Sequence, residues 1–569
     1  MTRRRRLILF ISLFLFLAIG SKVSAFQLGE NFNFYIESSY DISGRSELPT
    51  ALIKVTPKVY FFADKNWWDS LGNSRQTEVF NALDNLSQEF ETKIYPNLTS
   101  TFGSEWKPGI DGDEKITILL QQMKEGIGGY FRDADEYLRV QVPGSNEREM
   151  VYLATSQIET PQAKSFLSHE FVHLITFNQK DKNYGISEET WLNEARAEYA
   201  PTLLGYDSVY EGSNLQNRTK IFLEAPFDSL TEWKNRREDY GVLNLFTQYL
   251  VDHYGVGVLV DSLKSNEIGI PSLNNALLKN GFNVDFGKIF TDWTIAVFIN
   301  NCNLGPNYCY LSKNLEKIHV SPSINFLPLT GKSTLSITNV TKNWTGEWQK
   351  FIGGNGVLKF EFQGLAGLNF KVPYLVLDKD GKYSLDFLVL DKNQKGEIYV
   401  SDFNAKNTAL IVIPSLQTKI SDFDGVDPTY PFSVTVSVLE RTAAQEEELI
   451  KQLLAQIAAL QIEIAKVKAR LDAIQHKNNF SCQIIVSNLS VGVVNDAEIK
   501  CLQEFLKAQG TDIYPEGLVT GYFGSLTKAA VIRFQEKYVS DVLAPWGLTK
   551  GTGRVAQTTR NKINELLGR

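Results

Sequence analysis

The chain has 569 residues, of which 43% are hydrophobic and 12% aromatic. This composition supports several packed cores and excludes a wholly disordered protein. The length predicts about three or four domains. A formal net charge of −7 gives no support for nucleic-acid binding, and four cysteines are too few for a disulfide-rich scaffold.

Residues 1–25 have the pattern of a secretory signal peptide. Arg3 to Arg6 form a basic start, Leu7 to Ile19 form an apolar core, and a Val-Ser-Ala sequence ending at Ala25 is typical of a cleavage site. The alternative is an uncleaved anchor, but the apolar run is short for a bilayer span. We therefore expect a secreted chain that begins at Phe26, in a compartment where disulfides can form.

Residues 26 to about 155 combine strands with a helix. Apolar residues at helical spacing predict an amphipathic helix from Arg75 to Ile94. Asp111-Gly112-Asp113 suits either a calcium site or a turn before a strand, and the turn is favoured. Strands are predicted at VYFFA (59–63), KITILL (115–120), YLRVQV (137–142) and EMVYLA (149–154).

An H-E-x-x-H pattern organises the rest of the chain. Thr160 is a suitable N-cap and Pro161 suits a first helical turn, which predicts that a helix begins here. On that helix His169 and His173 are four residues apart on one face, so both imidazoles can bind one metal ion. Glu170 can reach a water molecule on that ion. Two histidines on an ordinary core helix are the alternative, which the intervening glutamate disfavours.

A second helix is predicted from Ser187 to about Leu204. Glu194 lies 21 residues after His173, far enough for a loop and a returning helix. Catalytic zinc often takes two histidines and one glutamate, with a position left for water. Glu198 is one helical turn further along and can accept a hydrogen bond from a metal-binding histidine. The alternative is that both glutamates are solvated surface charges.

These residues resemble the gluzincin metallopeptidases, whose pattern is H-E-x-x-H followed by N-E-x-x-x-[DE]. Within that group, residues 90–301 are most similar to the hyicolysin-like bacterial peptidases. The resemblance implies that His169, His173 and Glu194 bind one zinc ion, with Glu170 as general base. The supporting segments are GIDGDEKITILL (109–120), GGYF (128–131), SNEREMVYL (145–153), WLNEARAEY (191–199) and YGVLNLFTQYLVDHYG (240–255).

The resemblance also implies a thermolysin-like layout, in which an edge strand holds the substrate backbone and a helical subdomain closes one wall of the zinc cleft. Tyr240 is the candidate for stabilising the oxyanion, and a buried aromatic is the alternative reading of that residue. Apolar spacing predicts helices at Tyr240–Tyr254, Ser272–Lys279 and Phe286–Asn300.

The four cysteines suggest two pairs without fixing them. Cys302 and Cys309 could close a small loop, and Cys482 and Cys501 could tie the start of the last domain to its first helix. Pairing cannot be read from sequence, so free thiols remain the alternative.

From about residue 320 to 440, short strands alternate with Gly, Asn, Asp and Lys turns. This spacing predicts a β-sandwich of about 110 residues, such as a jelly roll or a pre-peptidase-like accessory domain. It could bind a substrate or a surface, or act as a spacer. The predicted strands are VLKFEF (357–362), YLVLD (374–378), DFLVLD (386–391), EIYVS (397–401), ALIVIPS (409–415) and FSVTVSVLE (432–440).

Residues 441–477 have apolar side chains in steps of three and four, which is typical of a coiled coil. Such a helix should pair with another copy of the chain as a homo-oligomer. A rigid monomeric spacer, or packing onto the sandwich, is the alternative. The apolar positions are Ile450, Leu453, Ile457, Leu460, Ile464, Val467, Leu471 and Ile474.

The last part, Ser481 to Arg569, resembles the three-helix peptidoglycan-binding module of bacteria, which implies peptidoglycan or the cell wall as a partner. One departure is at Gly553 to Gln557, where the family often has G-x-x-G-P. The matching segments are IKCLQEFLKAQG (499–510), VTGYFGSLTKAAVIRFQ (519–535) and GTGRVAQTTRNKINELL (551–567).

The sequence thus predicts a multidomain α+β protein that acts as a secreted, cell-wall-associated zinc metalloendopeptidase on polypeptide substrates. The alternatives are a hydrolase of peptidoglycan peptides and a non-catalytic, zinc-containing wall adhesin or structural protein. The predicted regions are a signal peptide (1–25), a thermolysin-like gluzincin domain (26–319), a β-sandwich (320–440), a coiled-coil helix (441–477) and a peptidoglycan-binding-like domain (478–569).

Overall fold

The computed structural model describes residues 26–423, 425–439, 451, 454, 456–458, 460–468, 484–493 and 496–568. The chain divides into two compact units, residues 1–441 and 442–569. Sheets and helices alternate in the larger unit and helices dominate the smaller one, so the predicted mixed, multidomain class is confirmed. Among the described residues, no helix has both the length and the apolar content needed to cross a membrane. The predicted signal peptide lies outside the described residues.

The larger unit begins with a six-stranded mixed sheet in the order β1-β2-β3-β4-β6-β5. Strands β3, β4 and β6 run parallel, and the other pairs are antiparallel. Strand β5 therefore forms one edge of the sheet. The strands are β1 (Asn31–Tyr35), β2 (Glu47–Val55), β3 (Val59–Asp64), β4 (Ile116–Gln121), β5 (Gly129–Phe131) and β6 (Met150–Ala154).

Both faces of this sheet are covered, which explains why its central strands are continuous apolar runs. Phe61 of β3 and Val151 of β6 pack against the helices, whereas Phe62 and Tyr152 face a second aromatic cluster. The strands predicted within 59–63, 115–120 and 149–154 are present.

The strand predicted at YLRVQV (137–142) is wrong. A 3₁₀ helix at Asp133–Glu136 and a series of turns occupy this region. Val140 is 88% exposed, so the apolar side chains of this segment do not form the buried face that a strand would have. The amphipathic helix is present as Asn73–Glu89, followed by one π turn at Phe90–Ile94.

The two helices that carry the candidate ligands both begin later than predicted. The HExxH helix spans Ala163–Phe177, and the Thr160 hydroxyl donates to the carbonyl of Gln157 instead of capping it. The glutamate helix spans Thr190–Leu203, and the Ser187 hydroxyl donates to Asp181. The remaining α-helices of this unit are Lys65–Ser70, Tyr95–Phe102, Asn214–Glu224, Arg237–Tyr254, Gly257–Leu263, Gly269–Lys279 and Phe286–Ile299.

Two β layers follow the helices. One layer has the order β13-β12-β15-β9-β7 and the other β14-β10-β17-β8, joined by a single residue pair between β14 and β15. The strands are β7 (Ser323–Leu327), β8 (Ser333–Thr341), β9 (Gln349–Gly353), β10 (Gly356–Gln363), β11 (Phe370–Lys371), β12 (Pro373–Asp378), β13 (Tyr383–Phe387), β14 (Lys395–Phe403), β15 (Asn407–Val412), β16 (Ser415–Leu416) and β17 (Tyr430–Leu439).

Side chains from both layers, among them Phe351, Phe360 and Val434, form the core between them, which is the packing of a β-sandwich. The segment DFLVLD (386–391) is misassigned, because β13 ends at Phe387 and Val389 is 76% exposed.

The sandwich packs directly on the helical region. Alternate residues of β15 are shared between two cores: Leu410 and Val412 face the other layer, whereas Ala409 and Ile411 join the helices. Trp348 is 0% exposed, and its indole N–H donates to the Thr294 carbonyl at 2.9 Å. This contact explains why residues 26–439 form one compact unit.

A disulfide joins Cys302 and Cys309, as one predicted pair requires. Cys482, in the other predicted pair, lies outside the described residues. So do Ile450, Leu453, Leu471 and Ile474 of the predicted coiled coil. The described residues 456–458 and 460–468 are helical, and the homo-oligomer stays a prediction.

The smaller unit is helical, with helices Asp496–Ala508, Ser525–Lys537, Val539–Val542 and Gln557–Leu566. In two places a buried glutamine clamps a Thr-Gly turn. Its Oε1 accepts from two backbone N–H groups of the turn, and its Nε2 donates to a turn carbonyl and to a threonine of the next helix. The partners of Gln503 are Thr520, Gly521, Tyr522 and Thr527, and those of Gln535, 32 residues later, are Thr552, Gly553, Arg554 and Thr559.

Replacing Trp348 with alanine should lower the free energy of unfolding by about 3–5 kcal/mol, because a cavity would open between the sandwich and the helices. Urea unfolding followed by circular dichroism measures this change. The control is Phe326→Ala at a side chain that is 72% exposed. That variant should change stability by no more than about 0.5 kcal/mol. Equal losses in the two variants would contradict this packing.

Candidate functional site

The HExxH helix and the glutamate helix pack side by side and bring three predicted ligands together. His169 Nε2 lies 3.2 Å from Glu194 Oε2, and His173 Nε2 lies 3.7 Å from Glu194 Oε1. The ligand atoms of His169, Glu170 and His173 all lie within 4.8 Å of one another. The spacing argument is consistent with this geometry: residues four apart on one helix share a face.

The Nδ1 atom of each imidazole contacts a polar side chain of the glutamate helix. His169 Nδ1 is 3.4 Å from Glu198 Oε1, and His173 Nδ1 is 3.1 Å from Asn193 Oδ1. When each Nδ1 carries the proton for these contacts, each Nε2 presents a lone pair toward Glu194. The sequence pointed to Glu198 in this role. It did not point to Asn193, although that residue belongs to the N-E-x-x-x-[DE] pattern.

Glu198 is itself anchored by three residues that sequence reasoning missed. Arg218 donates to both of its oxygens, from Nε at 2.8 Å and Nη2 at 2.7 Å. Asn214 and Asn244 each donate to Oε2 at 3.1 Å. These partners lie on the two helices that follow the glutamate helix, at spacings that no local motif defines. Only the fold brings them to Glu198.

Burial and charge set the titration of the site. Burial raises the pKa of Glu170 to about 8, and it lowers the pKa of His173. Burial also acts to raise the pKa of Glu198, but the Arg218 guanidinium outweighs it and keeps that pKa below its usual value. Glu198 is therefore held in its ionised form, whereas Glu170 would be ionised at neutral pH only with a cation bound beside it.

The residues present fit a divalent cation that prefers nitrogen and oxygen ligands. Glu194 Oε2 is buried, and its 3.2 Å contact with His169 Nε2 is a hydrogen bond only when that nitrogen carries a proton. A carboxylate oxygen in this state is costly unless another group neutralises it. Two imidazole nitrogens and one carboxylate form a donor set that suits zinc, and the Glu170 carboxylate lies close to the same two imidazoles.

Tyr240 lies beside the two helices. Its ring centroid is 6.4 Å from that of His169, and its hydroxyl donates to Asn235 Oδ1 at 3.4 Å. The Arg218 guanidinium stacks on the ring at 4.6 Å. Burial raises the pKa of the Tyr240 phenol, so it stays protonated and can donate a hydrogen bond. The residue is a packed aromatic that also lines the cleft.

The cleft has a volume of about 310 Å³ and is lined by Gly129, Phe166, His169, Glu170 and Tyr240, among others. Edge strand β5 forms one wall. A Cβ atom built at Gly129 would lie 2.7 Å from the Tyr152 carbonyl and 3.2 Å from Glu170 Cγ. The absence of a side chain therefore lets the edge strand lie directly along the HExxH helix.

Residues 495–539 match the family described as a putative peptidoglycan binding domain. The match supports a peptidoglycan-binding module in the C-terminal unit and, with it, association with the cell wall. It covers that module alone. The chain matches no curated protein.

Several solved structures are similar to parts of the chain. The pre-peptidase C-terminal domain of a collagenase from Bacillus anthracis is 10% identical, with a TM-score of 0.14, covering 20% of this chain and 96% of that one. The Yersinia pseudotuberculosis-derived mitogen is 8% identical, with a TM-score of 0.14, covering 19% and 89%. A family GH115 4-O-methyl-α-glucuronidase is 8% identical, with a TM-score of 0.13, covering 57% and 51%. Scores this low carry no argument.

Replacing Arg218 with methionine should destabilise the protein by about 3–5 kcal/mol, because Glu198 would remain buried without its partner. The matched control is Arg237→Met, since Arg237 pairs with Glu224 at 2.8 Å where both side chains are more than half exposed. That surface pair should contribute less than about 1 kcal/mol. Denaturant unfolding compares the two variants, and similar small losses would count against the anchoring role of Arg218.

Proposed function

We propose that this chain is a zinc metallopeptidase of the gluzincin type, with a thermolysin-like catalytic region in residues 26–319. It would be secreted and held at the cell wall by its C-terminal unit. The observation that carries the proposal is the convergence of the Nε2 atoms of His169 and His173 on the carboxylate of Glu194, whose Oε2 is buried. The Nδ1 atoms of the two histidines contact Glu198 and Asn193.

His169, His173 and Glu194 would hold the ion. A bound zinc ion lowers the pKa of a water molecule and polarises a substrate carbonyl. Glu170 would accept the proton of that water as it attacks the peptide carbonyl, and would then give the proton to the leaving amine. Glu198 and Asn193 keep the two imidazoles oriented, so the donor set needs no rearrangement before each turnover.

The walls of the cleft suit an extended peptide. Strand β5 pairs with β6 on one side only, which leaves its other backbone edge free of sheet partners among the described residues. An extended substrate could add to such an edge through main-chain hydrogen bonds. Tyr240 would donate its phenolic hydrogen to the developing oxyanion. This arrangement supports endopeptidase action without fixing a side-chain preference.

A second candidate is hydrolysis of the peptide part of peptidoglycan. The match of residues 495–539 to a putative peptidoglycan binding domain favours it, because such a module would bring the cleft to wall peptides. A non-catalytic wall protein is the reading that remains if neither substrate is cleaved. That reading leaves Glu170 without a role beside the ligand set.

Glu170→Gln should lower the rate of peptide hydrolysis by at least about 100-fold, because the variant lacks the group that takes the proton from water. Zinc content should stay at one ion per chain, since the three ligands are unchanged. Casein hydrolysis and metal analysis of the same sample measure both effects. The control is Glu78→Gln on an exposed helix face. Full hydrolysis by the Glu170 variant would exclude this mechanism.

Purified sacculi and casein, incubated in parallel with the chain, should separate the two substrate classes. If wall association directs the enzyme, the full chain should sediment with sacculi, and a chain ending at residue 441 should stay in the supernatant. The truncation ends at residue 441 because the first compact unit ends there. Release of peptide from casein but not from sacculi would favour the general endopeptidase. The reverse result would favour the wall hydrolase.

A further inference from the structure

A second group of acidic side chains lies outside the candidate zinc site. It consists of Asp111, Glu136 and Glu149, called here the Glu136 cluster. Glu136 and Glu149 are each only 3% exposed. The three residues come from separate segments: the loop before β4, the end of the 3₁₀ helix that follows β5, and the segment just before β6.

Glu136 has no cationic partner among the described residues, and its nearest ionisable partner is the Glu149 carboxyl. Its Oε1 is inaccessible to solvent and has no hydrogen-bond partner among the described residues. The Glu136 carboxyl faces that of Glu149. Burial, and to a lesser extent the negative charge of Glu149, raise the pKa of Glu136 well above its usual value. Burial likewise raises the pKa of Glu149 to about 7. Two buried carboxyls thus repel each other when both are ionised.

The neighbouring arginines lie against Asp135 and Asp111, and neither forms an ion pair with Glu136 or Glu149 among the described residues. Arg132 pairs with Asp135 at 2.9 Å. The Arg148 guanidinium lies 4.6 Å from the ring centroid of Phe26 and 3.8 Å from Asp111. Neither arginine therefore neutralises the negative charge that Glu136 carries when it is ionised.

Hydrogen bonds in the loop before β4 show which of its residues contact the Glu136 cluster and which stabilise the turn itself. Glu149 Oε1 accepts from the Ile110 N–H at 2.8 Å, which holds the loop against the cluster. Asp111 Oδ1 accepts from the Asp113 N–H at 2.8 Å, and Asp113 accepts from the Tyr60 hydroxyl at 2.8 Å. Asp113 is thus fully used in a turn, as the turn reading of Asp111-Gly112-Asp113 requires.

We propose that Glu136 and Glu149 bind a divalent cation of the calcium class. Calcium takes carboxylate and backbone carbonyl oxygens as ligands, and it tolerates irregular sites built from loops. The ion would neutralise two carboxylates that otherwise lack a cation, and so remove the cost of burying them.

The position of Glu136 gives this ion a structural role. Glu136 ends the 3₁₀ helix Asp133–Glu136, which begins two residues after β5. A cation there would tie the end of this edge strand to the segments that lead into β4 and β6. It would stabilise one wall of the cleft without contact with the zinc ligands.

The test uses the full chain at pH 8, after passage over a chelating resin and with zinc restored. Addition of 1 mM CaCl₂ (about 100 times a dissociation constant typical of sensor sites) should raise the unfolding midpoint by about 2–5 °C. Magnesium at the same concentration should raise it less. Calorimetric titration should detect one calcium ion per chain.

Glu136→Gln and Glu149→Gln should each abolish the calcium-dependent shift. Both variants should unfold at the parent midpoint or above it without calcium, because one of two repelling charges is removed. Asp113→Asn is the matched control in the same loop and should keep the shift. An undiminished shift in Glu136→Gln would overturn the proposal. A chain that ignores calcium but loses stability between pH 6 and 8 would also overturn it, because the pair would then share a proton.

Discussion

The candidate site depends on one buried ion pair. Glu198 is 1% exposed, and a carboxylate so buried is stable only with a permanent cation beside it, which Arg218 supplies. The pair joins the glutamate helix to the next helix, and Asn244 adds the one after that. Because Glu198 also contacts His169, the packing of three helices fixes the orientation of a single imidazole.

The convergence of the candidate site residues could be predicted from sequence because it depends on local spacing along two helices. His169, Glu170 and His173 are placed by helical periodicity alone, and Glu194 follows in a helix long enough to return alongside. Arg218 and Asn214 could not be found in this way. Their partner is fixed by tertiary packing, and a single Arg or Asn on an amphipathic helix carries no signal that separates a buried anchor from a surface group.

The fold was predicted best where strands are covered on both faces. Residues 59–63 and 149–154 are continuous apolar runs and form central strands. The segment 137–142 has a similar composition, but it follows a short edge strand and has no neighbour with which to pair. In the smaller unit, the paired clamps of Gln503 and Gln535 correspond to Thr-Gly turns 32 residues apart. That spacing can be read in the sequence as a short internal repeat.

Gly128, just before β5, and Gly129, its first residue, have an evolutionary consequence. A methyl group at Gly128 would meet the Phe166 ring at 2.3 Å, and one at Gly129 would collide with a main-chain oxygen. This exclusion is steric, so it would persist in a descendant in which Glu170 had been replaced. Conservation of Gly128 and Gly129 among related proteins would therefore indicate that the fold is intact. It would not indicate that the protein is active. Under the proposed function, a descendant that lost Glu170 and kept both glycines would keep the shape of the cleft and lose its hydrolytic activity.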